Sequence, residues 1–262
     1  MSINYKIRLS QICFLFGILV AWQLAGHYSK NFFFVLGSPI AIGKEFWDLL
    51  INNSLYWHFL VTGGEAITGL LIGTLVGSVC GLLLWYSKNA SEIIRPFIIA
   101  LGTLPIFAFA PLFIFWFGIG FMMKVAIAAF STVFISFNQA NKGAATVSSE
   151  YIEALKGMNA SKDKIFKKVI IPASINWVFN SMRLNVGFGL LGAFIGEFIS
   201  ADQGLGYLIL KAAGVYNVSR AFAAAIGITI LALSLDYLAG KIEKNNRAIV
   251  QWLSVPKVFR RR

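Results

Sequence analysis

Ionisable side chains are scarce in this chain of 262 residues, and the informative ones interrupt apolar runs. Glu65, Arg183, Glu197 and Asp236 all fall within such runs. A charge inside a membrane is costly unless it is paired or solvated, which makes Glu197 a candidate site residue and, with Arg183, a candidate member of the translocation pathway, while Glu65 is expected to point into protein or to serve transport. A relay of Glu65, Glu197 and Asp236 would suit a proton-coupled secondary transporter or channel, but it needs carboxylates near the midplane, and these three sit towards the ends of their runs. Arg183 lies roughly 13 Å into its run at ~1.5 Å per residue, so its stem can carry the guanidinium back to the interface; this is preferred over contact with a transported anion. Other chemistry is missing. His27 and His58 lie outside the apolar runs and Cys13 and Cys80 inside them, nothing has metal-ligand spacing and no disulfide is inferred; Gly43-Lys44 is no phosphate loop, because Ser38 replaces the upstream glycine and Glu45 stands where Ser or Thr is needed. No catalytic, cofactor or metal site is expected, and any nucleotide-driven step would need a second polypeptide.

The longest polar interval runs from Ser149 to Pro172. Glu150 to Met158 are mostly helix formers, and Asn159 is the residue type best able after glycine to take the left-handed conformation that closes a helix. Ser161 can cap a second, basic helix, Asp163 suits its first turn, and Pro172, which has no N–H to donate, is expected to end it. Leu155 and Met158 are three apart and should share an apolar face that needs a partner.

These residues must be held by the rest of the chain, which is 58% hydrophobic, 13% charged and of mean hydropathy +0.73. Several windows reach the ~20 apolar residues that cross a bilayer, which predicts an all-α membrane protein of about six transmembrane helices, near 9–26, 59–86, 96–117, 122–137, 176–200 and 222–239. The net charge of +12 reads as topology and not as a nucleic-acid surface, because the basic residues cluster between spans. Of the 23 Lys and Arg, only Lys30, Lys44, Lys124, Lys211 and Arg220 fall on one side and Arg183 lies within a span. The remainder, including Lys6 and Arg260 to Arg262, place both termini and the interval 149–172 in the cytoplasm; the terminal arginines suit anionic lipid headgroups. Outside the membrane, 27–58 should turn at Gly37-Ser38-Pro39, 42–50 should lie in the interface, and 201–217 should form a loop. Gly69, Gly73, Gly77 and Gly81, at four-residue spacing, predict close helix packing, within the subunit or between subunits. Pro105 and Pro111 predict a bent third span that lines the pathway or serves packing alone. No repeat or linker interrupts 1–262, which reads as a single domain.

Glu153-Ala154-Leu155, the turn residue Asn159 and Val169-Ile170-Ile171-Pro172 resemble the "EAA" signature of permease subunits of ATP-binding-cassette (ABC) importers, where Glu-Ala-Ala precedes a glycine and Ile-x-Leu-Pro. Leu155 stands for the second Ala, Asn159 for Gly, and Val169 and Ile171 for Ile and Leu. Trp116-Phe117-Gly118-Ile119-Gly120, with Gly196-Glu197-Phe198-Ile199 and Gly204-Leu205-Gly206-Tyr207-Leu208-Ile209, resembles the branch serving nitrate, sulfonate, taurine, bicarbonate and thiamine-precursor uptake. The resemblance covers the chain from Leu36 to Ala239. It implies a type I ABC importer permease fold in the bacterial inner membrane, with a cytoplasmic coupling helix between spans 4 and 5. It further implies that Glu153, Ala154, Leu155, Gly157, Met158, Asn159 and Pro172 serve docking to an ATPase subunit carrying ATP and Mg. An extracytoplasmic solute-binding protein and a permease homodimer complete the implied assembly, and the binding protein supplies most of the solute selectivity.

Overall fold

The computed structural model describes residues 2–52, 54–200 and 202–253, with side chains within 7–245. Lys6, Arg247, Lys257 and Arg260 to Arg262, which contribute to the charge asymmetry, lie outside the described side chains. The described residues form helices and no strand: α1 (Ser2–Tyr28), α2 (Lys30–Leu36), α3 (Pro39–Ile51), α4 (Ser54–Leu83), α5 (Lys88–Thr103), α6 (Ala110–Phe117), α7 (Phe121–Ala145), α8 (Ser149–Gly157), α9 (Lys162–Ile165), α10 (Ile171–Ile199), α11 (Leu205–Gly214) and α12 (Val218–Leu253). Five stretches are long and apolar enough to cross a membrane, Ile7–Tyr28, Ser54–Tyr86, Phe121–Ala145, Lys162–Ile199 and Val218–Asn245. A sixth span is formed if the bent pair Lys88–Thr103 and Ile106–Phe117 is taken as one.

The third span is bent as expected, and sharply: the chain turns by 90° between Thr103 and Ile106. Steric conflict with the Pro105 ring excludes Leu104 from the helical region, and Leu104 is extended, at φ −68° and ψ 136°. Pro111 bends nothing, because it occupies the first turn of α6, where a backbone N–H would have no helical partner.

The chain divides into two compact units, Met1–Val61 with Asp202–Thr229 and Thr62–Ala201 with Ile230–Arg262; two of the three divisions fall inside α4 and α12. In the first unit, Gly37 takes φ +65° and ends α2, and the Ser38 hydroxyl accepts from Ala41 N–H to cap α3. Helix α3 contains the segment expected in the interface, yet Ile42 and Leu49 are buried while Glu45 and Asp48 each approach Arg220 at 3.3 Å. The expected loop 201–217 also holds a helix. Leu205, Leu208 and Ala212 of α11, spaced three and four apart, are all buried. Trp57 donates to Gln203 at 2.9 Å and Gly204 N–H to His58 Nδ1 at 2.8 Å, which anchors the start of this helix.

The second unit is organised on α7. A methyl group built on Gly69, Gly73, Gly77 or Gly81 of α4 would overlap α7, at Ala128, Thr132, the Val133 carbonyl and the Phe137 carbonyl in turn. The glycine stripe therefore packs within the subunit. A Cβ on Gly192 of α10 would sit 2.6 Å from Ala128 Cα, so α7 is approached closely by both helices.

Candidate functional site

Helix α8 begins with the Ser148 hydroxyl accepting from Tyr151 N–H at 3.3 Å and carries Glu150 in its first turn, where the helix dipole favours an anion. Its end is closed by two backbone bonds, Asn159 N–H to the Lys156 carbonyl at 2.9 Å and Ala160 N–H to the Leu155 carbonyl at 3.0 Å, with Asn159 left-handed at φ +61°. This is the Schellman arrangement, with asparagine in the place usually held by glycine. Ser161 then caps α9 by accepting from Lys164 N–H at 3.4 Å.

Pro172 does not end this second helix. The chain stays helical from Lys162 to Ile199 through a wide π turn over Phe166–Ile170, in which Ile171 N–H reaches back to the Phe166 carbonyl. The widened turn takes up the proline ring and its missing donor, so Pro172 falls in the first turn of α10.

The faces of α8 also differ from expectation. Ile152, Leu155 and Ala160 pack on the subunit's own cluster of Ala144, Ile165, Phe166 and Ile170. Leu155 is thus an anchor and does not share an outward face with Met158. Met158 lies beyond the last helical residue, which breaks the three-residue register, and it is 79% exposed. Glu153, Ala154, Gly157 and Asn159 are exposed as well. The result is a short helix fixed along one side and open along the other, with a small residue, an acid and a thioether on the open side.

Glu65, Arg183 and Asp236 are held in ion pairs, and Glu197 accepts from a hydroxyl. Lys124 Nζ lies 2.9 Å from Glu65 Oε1, and both side chains are almost fully buried. Lys124, which the charge distribution counts as external, is in the first turn of α7, where a Cβ on Gly196 would come within 2.9 Å of its Cγ. The absence of a side chain at 196 makes room for the lysine stem. Thr62 donates its hydroxyl to Glu197 Oε1 at 2.5 Å, and Glu197 is buried. Arg183 does not extend alone to the interface. It forms a fork on Asp236, with Nε–Oδ1 at 3.1 Å and Nη2–Oδ2 at 3.3 Å, and its Nη1 lies 3.6 Å from Glu243. Asp236 and Glu243 are seven apart and share a face of α12, where Gly240 between them abuts the guanidinium. Two of the three relay candidates, Glu65 and Asp236, are therefore held by cations.

A buried polar contact absent from the sequence reading joins the three central helices: Asn185 of α10 donates to Thr74 of α4 at 2.9 Å and to Ser136 of α7 at 2.6 Å. In the sequence Asn185 stands beside Asn176, Asn180 and Arg183 in the same span, with nothing to single it out. Among the described residues no three His, Cys, Asp or Glu side chains gather as metal ligands would. The 90° corner borders an apolar crevice of about 280 Å³ that includes Leu104, Ile106, Phe134 and Phe188, with Ser131 its polar member.

The family model for the binding-protein-dependent transport system inner membrane component matches residues 69–248. The chain belongs to this family. It is an ABC importer permease subunit, a multi-pass membrane protein built on the all-α permease fold. A putative aliphatic sulfonates transport permease, SsuC of Bacillus subtilis, is 26% identical over 90% of this chain and 84% of its own length. A formylaminopyrimidine transport permease, ThiX of Halalkalibacterium halodurans, is 26% identical over 91% of this chain and 94% of its own. In fold, this permease resembles an inward-facing structure of the MetNI methionine ABC transporter, with a TM-score of 0.66 at 16% identity, over 74% of this chain and 97% of that one.

Proposed function

We propose that α8 is the coupling element of this permease and inserts its open side into a groove on a cytoplasmic ATPase, with Glu153 pairing a basic residue there and Ala154 allowing close approach. The observation that carries this reading is the two-sidedness of α8: Ile152 and Leu155 fix it to the subunit's own core while Ala154 and Met158 stay uncovered. ATP and Mg are bound and hydrolysed on that ATPase, and this chain performs no catalysis. Two copies of the permease form the pathway, an extracytoplasmic binding protein delivers a small solute of the aliphatic sulfonate or pyrimidine thiamine-precursor kind, and both termini face the cytoplasm.

Orientation is tested in intact cells with a membrane-impermeant maleimide, on a background lacking Cys13 and Cys80. Lys156→Cys on α8 is expected to react only after permeabilisation and Val215→Cys before it. The reverse pattern overturns the topology. The energy source is tested in proteoliposomes containing permease, ATPase and binding protein, with butanesulfonate and formylaminopyrimidine offered in parallel. Uptake is expected to require enclosed ATP, and uptake driven by a pH gradient without the ATPase would favour a secondary carrier.

A further inference from the structure

Directly after the turn that closes α8, the first residues of α9 grip the far end of α4. Helix α4 finishes at Leu83 and gives way to a 3-10 turn over Leu84–Tyr86, and Ser87 then caps α5, so Trp85 and Tyr86 occupy the corner between these helices. Tyr86 donates its hydroxyl to Asp163 Oδ1 at 2.9 Å, and Lys162 Nζ donates to the Tyr86 carbonyl at 2.5 Å. The Lys162 ammonium lies 5.9 Å from the Trp85 ring and 5.7 Å from the Tyr86 ring, within cation–π range. Phe166 stacks on Trp85 at 5.7 Å and packs against Tyr86 at 4.7 Å.

We propose that Tyr86, Lys162 and Asp163 form a latch that transmits movement of α8 to the α4–α5 corner, as positioning residues distinct from those that meet the ATPase. The inference rests on the docking of α8 proposed above. Three features support it. Only Met158, Asn159, Ala160 and Ser161 separate α8 from Lys162, and this turn is closed by the two Schellman bonds and the Ser161 cap, so α8 and the start of α9 move as one piece. The corner is the junction of two elements with separate destinations: α4 carries the glycine stripe along α7, and α5 leads to the 90° break before Ile106. The polar contacts of the latch are solvent-accessible and add little to folding, and the packing of Phe166 on Trp85 and Tyr86 beneath them, being non-directional, holds the two sides together without fixing their relative orientation. Loss of the polar contacts should therefore uncouple the pieces without unfolding either.

The test is hydrogen–deuterium exchange on the purified permease–ATPase complex, with and without ATP plus vanadate. In the unaltered protein, nucleotide is expected to change exchange both in α8 and across residues 84–90. In Tyr86→Phe/Lys162→Met, which keeps the ring and the lysine's stem length, the response in α8 should remain while that at 84–90 falls roughly fivefold or more, the low end of coupling between distinct sites. Asp163→Ala should act in the same direction, and Asp163→Asn, which still accepts from the Tyr86 hydroxyl, should keep the response. A full response at 84–90 in the double variant overturns the latch, as does its absence in the unaltered protein while α8 responds. If α8 itself fails to respond in the unaltered complex, the docking reading falls instead.

Discussion

Gly77→Leu is expected to lower the thermal stability of the detergent-solubilised permease more than any surface substitution. A single methyl at this position would already overlap the Val133 carbonyl and come within 2.9 Å of Ser136 Cβ, and leucine adds three further carbons. Overpacking of a well-filled interior costs about 1–3 kcal/mol where side chains can yield, and a clash with backbone on a rigid helix should reach or exceed the upper end. Gly73→Leu, which meets Thr132 and the Ala129 carbonyl, should behave alike. The control is Gly187→Leu, a glycine on α10 with nothing within 4 Å of its built Cβ, which should leave stability nearly unchanged. Equal melting temperatures for Gly77→Leu and the unaltered protein would mean that the stripe does not meet α7.

The second large effect is expected from Lys124→Met. It leaves the Glu65 carboxylate buried without its cation, and breaking a buried ion pair from one side typically costs about 3–5 kcal/mol. Replacing both members, Glu65→Leu with Lys124→Met, removes the stranded charge and should recover most of that loss, because apolar substitutes for a buried pair are often neutral or better. Thermal melting of the two single variants and the double variant gives the coupling directly. A double variant no more stable than Lys124→Met alone would show that the pair does not act as a unit.

Much of the architecture is legible in the sequence, since long apolar windows interrupted by basic clusters leave little choice of fold. The turn at Asn159 and the cap at Ser161 could also be read directly, because both depend on local backbone chemistry. What could not be read depends on which helices meet. The stripe on α4 predicts close approach but does not identify α7 as the neighbour. Lys124 follows a glycine-rich turn and so looks external, although a lysine entering an apolar run beside an acid-bearing span, with Gly196 available to receive its stem, was a usable signal for pairing with Glu65. Arg183 could be placed by depth, but its partners Asp236 and Glu243 lie on a helix far along the chain. Pro172 misled because proline usually stops a helix, and nothing local announces the π turn that carries the helix past it. Trp85 and Tyr86 read only as the end of an apolar span, and their importance arises from the aromatic cluster that the fold assembles around Phe166.

If α8 is the surface that receives the ATPase, substitutions on its open side decide whether the two proteins co-purify. Ala154→Trp should fill the close approach and remove the ATPase from the purified complex, while the permease still elutes as a folded species, because position 154 is exposed and the anchors Ile152 and Leu155 are untouched. Glu153→Lys should weaken the complex by about 2–5 kcal/mol if the pair is buried on docking and by under ~1 kcal/mol if it stays at the rim. Full ATPase recovery with both variants, at unchanged rates of ATP hydrolysis, would mean that α8 is not the docking surface.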